Sequence, residues 1–550
     1  MPAFHQNCGP KSLLSWSRFT CVCHGIIYMR NVIIVSGLFA MQCNAQLVDR
    51  TKAPNPINEG IAKSLEQEIG AGRGDSNTPD SSSFLILRDP FRAIRRGRQL
   101  FQRKFQHLDG ADSTFYARDG SGAVDKNLAI GAGLTDSCST CHGRPRGSAG
   151  FGGDVVTRPD SRDAPHLFGL GLKEMLADEI TAELRDRSSH AIADAVAQHA
   201  PVTRPLAAKG IQYGTITANP DGTVDTSQIE GVDPDLRVRP FFAHGGTVSI
   251  REFIAGAMNN EMGFQCWDPE IMTAFSKKAR ATTPAGMVLD GRADTIEPPP
   301  DPDPSKVQTA QSPRNQMATA VVDYLEFYLL NYFKPALYEQ TPAVMRGRQT
   351  YDRIGCNSCH VSNLRIDRDR RVADLETVYD PERGNFNHLF ATAAPLVNVI
   401  DDGHGLPSRK TPKGEPFLVK NIFTDFKRHD LGPNFWERNY DGSYQKQFLT
   451  TALWGVGTTA PYGHDGRSAN LTEVILRHGG EAQSVHDGFA ALSDTDRIEL
   501  LEFLRSLVLF PPDDTASTLD PGDKLAADFP QVKHGSIKLT VLFNNPADIE

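Results

Sequence analysis

The chain has 550 residues and carries 58 Lys+Arg against 67 Asp+Glu, a formal net charge of −9. This acidic balance argues against a nucleic-acid partner, whose phosphates are neutralised by clustered cations. The length exceeds what one ordinary core organises, so two or three domains are expected.

Residues 1–45 read as an N-terminal extension and signal peptide. Met29-Arg30 is a short basic start, Val32 to Met41 an apolar stretch, and Cys43-Asn44-Ala45 a small-residue cleavage site. The apolar stretch of 10 residues is too short to span a bilayer, so no stable membrane span is expected. A lipoprotein reading with Cys43 acylated is weaker, because bulky Gln42 precedes it. Met29 opens the better signal, which makes residues 1–28 an extension from a start codon placed too early. Removing residues 1–45, which hold three basic and no acidic side chains, leaves 55 Lys+Arg against 67 Asp+Glu, net −12.

Residues 46–85 are rich in Gly, Ser, Asn and Pro and read as an irregular arm. A first domain is expected over 86–335. It opens with a helix from about Phe91 to Phe105 bearing Arg92, Arg95, Arg96, Arg98, Arg103 and Lys104. That basic run reads as a solvated helix face; the sharper alternative pairs it with the carboxylates of a bound group or of an acidic partner. Leu172 to Ala200 has helical spacing. Residues 209–232 read as a small β-hairpin around the turn Asn219-Pro220-Asp221-Gly222. Pro298 to Pro304 is a surface loop, and Met317 to Phe333 a helix with core periodicity.

A second domain is expected over 336–512, opening with a helix over about Val344 to Ile354. Asn470-Leu471-Thr472-Glu473 resembles a capping box, and its helix stops at Gly479-Gly480. Ser493 to Asp496 caps another helix, with Ile498, Leu500, Leu501, Leu504, Leu507 and Val508 inside and Pro511-Pro512 ending it. Residues 513–550 form a C-terminal extension.

One pattern occurs twice: Cys138-Ser139-Thr140-Cys141-His142 and Cys356-Asn357-Ser358-Cys359-His360. In C-x-x-C-H both thiols can bond to haem vinyl groups, and the adjacent histidine is held under the iron as its fifth ligand. With 9 Cys and 16 His in 550 residues, one such pattern arises by chance roughly 0.004 times. Zinc or redox C-x-x-C pairs followed by His are the competing reading. Cys21-Val22-Cys23-His24 is one residue short of the pattern and reads as a decoy. After cleavage only Cys266 remains besides the four motif cysteines, so no disulfide framework is expected, although export permits one. The motifs imply two covalently bound c-type haems on His142 and His360 and, with the signal, the periplasm. The expected fold is mainly α, with two cytochrome-c-like haem domains, a small β-hairpin insertion and long loops.

The sixth iron positions separate catalysis from electron relay. An iron with two protein ligands shuttles electrons, and one with an open position can bind peroxide or oxygen. His429, His464, His478 and His486 are candidates in the second domain, besides His404 on a glycine loop.

The blocks Trp454-Gly455-Val456-Gly457-Thr458-Thr459-Ala460-Pro461-Tyr462-Gly463-His464-Asp465-Gly466-Arg467 and Leu471 to Ala482 resemble the bacterial di-haem cytochrome c peroxidase superfamily, in its di-haem oxidoreductase branch. The resemblance covers roughly residues 90–510. It implies that His478 is the sixth ligand of the haem on His360, giving a bis-histidine electron-transfer centre. The competing role for His478 is a cation at a helix C-terminus. Phe241 to Gly263 is similar to the distal segment over the family's peroxidatic haem, which makes Glu261 the implied acid–base residue. Two departures stand out. Phe253 falls nearest the position of the family's glutamine, and Ala243 falls where relatives carry a tryptophan bridging the haems. Trp267 and Trp454 are the candidate substitutes as an electron path. Arg162 to Gly169 resembles a family segment ending in Pro-x-Leu-Phe-Gly and makes His166 a lesser candidate on the first iron, whose sixth position is otherwise read as open or water-bound. Met258 and Met262 read as packing.

The resemblance implies hydrogen peroxide reduction at the N-terminal haem, with electrons relayed through the C-terminal haem from a small redox carrier protein. The alternatives are a di-haem oxygenase or oxidase acting on an organic or protein substrate, and a non-catalytic electron-transfer cytochrome. The resemblance also admits a calcium ion between the domains, and a homodimer is the candidate assembly.

Overall fold

Helix starts in this chain are set by short polar side chains ahead of apolar runs. Ser81 accepts a hydrogen bond from the Phe84 N–H at 3.2 Å and opens helix Ser82–Arg88. Asp89 and Thr341 do the same for helices Pro90–Gln102 and Pro342–Arg353, each with proline at the first helical position. A computed structural model describes residues 64–105, 137–142, 163–262, 264, 266–299, 317–332, 336–337, 340–374, 394–439 and 441–508. The chain divides into Met1–Ala45 and Gln46–Glu550, and every described residue belongs to the second unit. The expected signal segment, Cys43, the decoy at Cys21 to His24 and the 513–550 extension lie outside the described residues.

One helix pairing occurs twice. Helix Pro90–Gln102 crosses helix Thr319–Leu330 with Gly97 against the Tyr324 carbonyl. Helix Pro342–Arg353 crosses helix Asp494–Arg505 with Gly347 against the Glu499 carbonyl. A Cβ at either glycine would overlap backbone, so only glycine lets the two helices close to this distance. Each pair brackets one C-x-x-C-H motif in sequence. This structural repeat was not visible in the sequence beyond the motifs themselves.

Three apolar clusters follow. The first takes Leu100, Phe101, Tyr324 and Tyr328 together with Met258 and Met262, and Cys138 packs against it. The third takes Tyr351, Phe423, Phe489, Leu500 and Phe503, and Cys356 packs against it. Between these in composition is a cluster drawn from both halves of the chain. It joins Leu172, Leu176, Ile180 and Leu184 of helix Leu170–Gln198 to Leu364, Ile422, Phe426 and Trp454. Each large side chain buried there contributes about 1.5–3 kcal/mol, so apolar burial outweighs the exposed ion pairs across the same halves, at about 0–1 kcal/mol each.

Helices dominate, with small sheets added, and several boundaries depart from expectation. The hairpin is a three-stranded antiparallel sheet, Val202–Ala208, Ile211–Ala218 and Val224–Asp225. Its second turn is the expected Asn219 to Gly222. The first strand was hidden by Pro205, which the sheet accommodates with a register shift between Pro205 and Ala207. The arm is not irregular throughout: helices Leu65–Ile69 and Ser82–Arg88, with Leu85 buried, flank a stretch of turns over 70–81. The basic run is not a solvated face. Arg92, Arg95 and Arg96 are buried; Arg92 and Arg96 pair with Asp80 at 2.9 and 2.7 Å, and Arg103 pairs with Glu68 at 3.1 Å. Ile498 points outward at 55% exposed, because Glu499 takes the inward position and accepts from Arg346 at 2.9 Å. That helix ends at Arg505, ahead of the expected prolines. Asn470 caps its helix by accepting from the Glu473 N–H, but Glu473 reaches back to the Ala469 N–H, one residue short of a capping box. Among the described residues no helix is long and apolar enough to cross a membrane.

Candidate haem-binding and redox site

The first C-x-x-C-H segment folds as helix Cys138–His142, and the second opens with a helical turn, Cys356–Ser358, followed directly by Cys359 and His360. All four cysteines are free. Nδ1 of His142 lies 2.7 Å from the Pro165 carbonyl, and Nδ1 of His360 lies 2.9 Å from the Phe423 carbonyl. A carbonyl only accepts, so in each ring Nδ1 carries the hydrogen and Nε2 keeps the lone pair a metal needs. Burial lowers both histidines' affinity for a proton and favours the neutral, ligating form. Burial also pushes the Cys138 and Cys356 thiols up to about 12. They sit as neutral thiols. The donor set fits two c-type haems.

Tertiary contacts sort the candidate sixth ligands. His429 is engaged at both nitrogens, Nδ1 by Glu481 at 2.7 Å and Nε2 by Asp425 at 3.0 Å. Burial opposes charge on His429, yet hydrogen bonds to Asp425 and Cys359 raise it to about 11. Cys359, Asp425 and His429 are close enough to share a metal ion, but a Cys359 thioether would no longer be the anionic donor such a site needs. His464 stacks on Phe448 at 3.9 Å with Nε2 facing Glu437 at 3.4 Å. His486 bonds Asp487 through Nδ1 at 2.9 Å, and His404 is exposed. His478 differs from all four. It caps helix Leu471–Arg477, and its Nδ1 donates to the Val474 carbonyl at 2.7 Å, leaving Nε2 as in His142 and His360. Burial first, and His360 among its neighbouring charges, hold His478 down at about 4. His360 and His478 are therefore electrostatic neighbours, both neutral.

Around the first motif, Glu261 is half-buried in the last turn of helix Ile250–Met262. That helix buries Ile250, Ile254, Ala255, Met258 and Met262 in the cluster against which Cys138 packs, so both methionines are packing residues. Its start is fixed by Glu174, which accepts from the Ile250 N–H at 2.6 Å. Arg251 anchors the underside among Asp268, Asp323 and Glu326 at 2.7–3.0 Å, all fully or almost fully buried. Phe253, at the family's glutamine position, packs on Phe241 and Phe242. Ala243 accepts a hydrogen bond from the Leu449 N–H at 2.8 Å through its backbone.

His166 is committed elsewhere. Its Nδ1 accepts the Phe168 N–H at 3.2 Å and its Nε2 lies 2.6 Å from the Trp454 carbonyl, so the ring has no free lone pair for iron. Trp454 is buried against Gly169, whose φ of 71° and lack of Cβ make room for the indole. The Trp267 indole N–H is buried without a hydrogen-bond partner among the described residues. Sequence reasoning missed the Pro165 and Phe423 carbonyls, since a backbone acceptor leaves no side-chain signal.

Residues 417–507 match the model of the family described as "Di-haem oxidoreductase, putative peroxidase". The matched stretch includes Trp454, His464 and His478, stops short of both C-x-x-C-H motifs, and bears out the family resemblance as that of a di-haem redox enzyme. No curated protein matches the chain. Among solved structures, the chain is similar to hydrazine synthase of Kuenenia stuttgartiensis at 12% identity, covering 88% of this chain and 100% of that one, with a TM-score of 0.32. It is also similar to a MauG-like protein associated with microbial copper homeostasis, at 15% identity over 81% and 94% of the two chains, with a TM-score of 0.29. Likenesses this weak fix neither fold nor chemistry.

Proposed function

We propose that the chain is a periplasmic di-haem c-type oxidoreductase that reduces hydrogen peroxide to water. The observation that carries this reading is the repeated proximal arrangement, a C-x-x-C-H histidine locked through Nδ1 to a backbone carbonyl, in a chain whose 417–507 segment matches a di-haem oxidoreductase family. Each half supplies a cytochrome-c-like domain, 86–335 and 336–512, after export and removal of residues 1–45.

Bound haem supplies the iron that accepts peroxide and the electrons that reduce it. The chain's own residues do the rest. His142 would hold the catalytic haem. Glu261 takes a proton from the near peroxide oxygen and returns one to the leaving oxygen, so that peroxide, two protons and two electrons yield two waters. His360 and His478 would hold the second haem, which would supply a site for single electrons from a small redox carrier protein. Ala243 in place of an aromatic bridge favours a second reading, a di-haem oxidase acting on an organic or protein substrate.

The test is turnover of peroxide by the full haem-loaded chain with a reduced small cytochrome as donor, alongside electron paramagnetic resonance of the oxidised and half-reduced protein. Turnover with one high-spin haem in either state supports the reading. Two low-spin haems in both states, without turnover, identify an electron carrier. A high-spin haem that oxidises an added substrate but not the carrier selects the oxidase.

A further inference from the structure

The two proximal histidines are joined by a continuous path that uses one intervening side chain. It starts at His142, whose Nδ1–H donates to the Pro165 carbonyl at 2.7 Å. The Pro165–His166 peptide leads to the His166 ring. Because Nδ1 of His166 accepts the Phe168 N–H at 3.2 Å, Nε2 carries the hydrogen and donates to the Trp454 carbonyl at 2.6 Å. From Trp454 the backbone leads to Leu453, whose N–H donates to the Ile422 carbonyl at 3.1 Å. Ile422 is bonded to Phe423, and the Phe423 carbonyl accepts Nδ1–H of His360 at 2.9 Å. Four hydrogen bonds and otherwise only covalent bonds connect the two haem-ligand rings.

Resting on the di-haem reading, we propose that electrons pass between the two haem centres along this proximal path, and that His166 is the positioning residue that closes it. One electron leaves the centre on His360 and one arrives at the centre on His142; no bond is made or broken, and every hydrogen in the path stays on its donor nitrogen. The electron comes from the one-electron carrier proposed above. Other features agree with the assignment. Ala243 offers no ring between the halves, and the Trp454 indole packs against Gly169 of the first half's loop. His166 also ties the Pro165 loop to the second half, so the carbonyl that orients His142 is fixed by the same ring that extends the path. Hydrogen bonds carry electronic coupling that a van der Waals gap of the same span does not, and bonds linked in a chain polarise one another.

The experiment uses the full chain loaded with haem and a one-electron photoreductant, following re-equilibration between the two haems by their absorption bands. Variants are H166F, which keeps a ring without a donor; H166Q, whose amide can donate to the Trp454 carbonyl; and W454F, which keeps the carbonyl and removes the indole. Haem count and both midpoint potentials are measured on each, so that changes in loading or driving force are separated from coupling. H166F is expected to slow inter-haem transfer about tenfold, equivalent to about 1.4 kcal/mol in the barrier, with potentials unchanged. H166Q recovers most of the rate, and W454F stays at the wild-type rate. If H166F loads haem poorly, H166A is measured in its place. An H166F or H166A rate equal to wild type overturns the relay, as does slowing in W454F alone. Wild-type protein without two covalent haems overturns the di-haem reading itself, which two haems with an unaffected H166F would leave standing.

Discussion

His142 and His360 turn the same ring nitrogen onto a backbone carbonyl, Pro165 at 2.7 Å and Phe423 at 2.9 Å, although those carbonyls lie 23 and 63 residues downstream. Loop length and local sequence differ between the halves, yet the tautomer is fixed in the same way. A carbonyl acceptor does this without adding charge, which suits a ring held neutral by burial. His478 repeats the solution from a helix end, through Val474.

From that shared geometry, His478→Met should convert the second centre from two histidines to histidine and methionine. A thioether ligand stabilises the reduced iron, so its midpoint potential should rise by on the order of 0.1 V. Electron paramagnetic resonance and potentiometry of the paired proteins decide it. An unchanged bis-histidine signal would remove His478 from the site.

Gly97 and Gly347 should both resist a methyl group. Alanine at either would meet the Tyr324 or Glu499 carbonyl and force the helix pair apart. Overpacking of this kind costs about 1–3 kcal/mol, readable as a lowered denaturation midpoint for G97A and G347A. A loss below about 0.5 kcal/mol in either would mean that the crossing yields more easily than its geometry indicates.

What the sequence disclosed follows from how local each signal is. The Ser493 cap and the Asn219 turn are complete within a few residues and were read correctly, and the C-x-x-C-H motifs are equally local. Arg92 and Arg96 misled because Asp80, which neutralises them, stands on the preceding segment, and the Tyr324 hydroxyl that meets Arg96 is more than two hundred residues away. Pro205 concealed a strand because a bulge absorbs it. The five histidines offered to the second haem could be ordered only by tertiary partners, above all the carboxylates on both sides of His429. The Pro165 and Phe423 carbonyls, and so the path between the halves, belong to backbone that any residue could supply.

Glu252 gives the fold a pH dependence of definite sign. Burial first lifts its carboxyl from 4.5 up to about 7; the Ser249 hydroxyl, donating at 2.8 Å, and Arg237 draw it down, while Glu297 adds repulsion. The folded chain then holds this proton more tightly than the unfolded chain. Its contribution is fully present below pH 4.5 and is lost as pH rises through 7, about 3 kcal/mol in all. Glutamine keeps the acceptor for Ser249 and cannot ionise. Denaturant titrations should therefore show E252Q gaining on wild type as pH rises from 4.5 to about 7 and holding that margin above it. A margin independent of pH would mean that the carboxyl titrates alike in the folded and unfolded chains.

Glu261→Gln separates proton transfer from haem binding. The residue sits in the last turn of a helix whose position is set by Arg251 and Glu174, neither of which the change touches. Haem content, the His478-dependent low-spin signal and thermal stability should therefore match wild type. Peroxide turnover should fall by about 10²–10⁴-fold, the usual worth of a positioned acid–base group. Glutamine can accept or donate a hydrogen bond, but it cannot take a proton from one oxygen and return it to the other. The loss should therefore appear in the rate of peroxide cleavage under single-turnover conditions and leave reduction by the carrier unchanged. Cleavage at the wild-type rate would assign the acid–base step to another group and leave Glu261 as an ordinary helix residue.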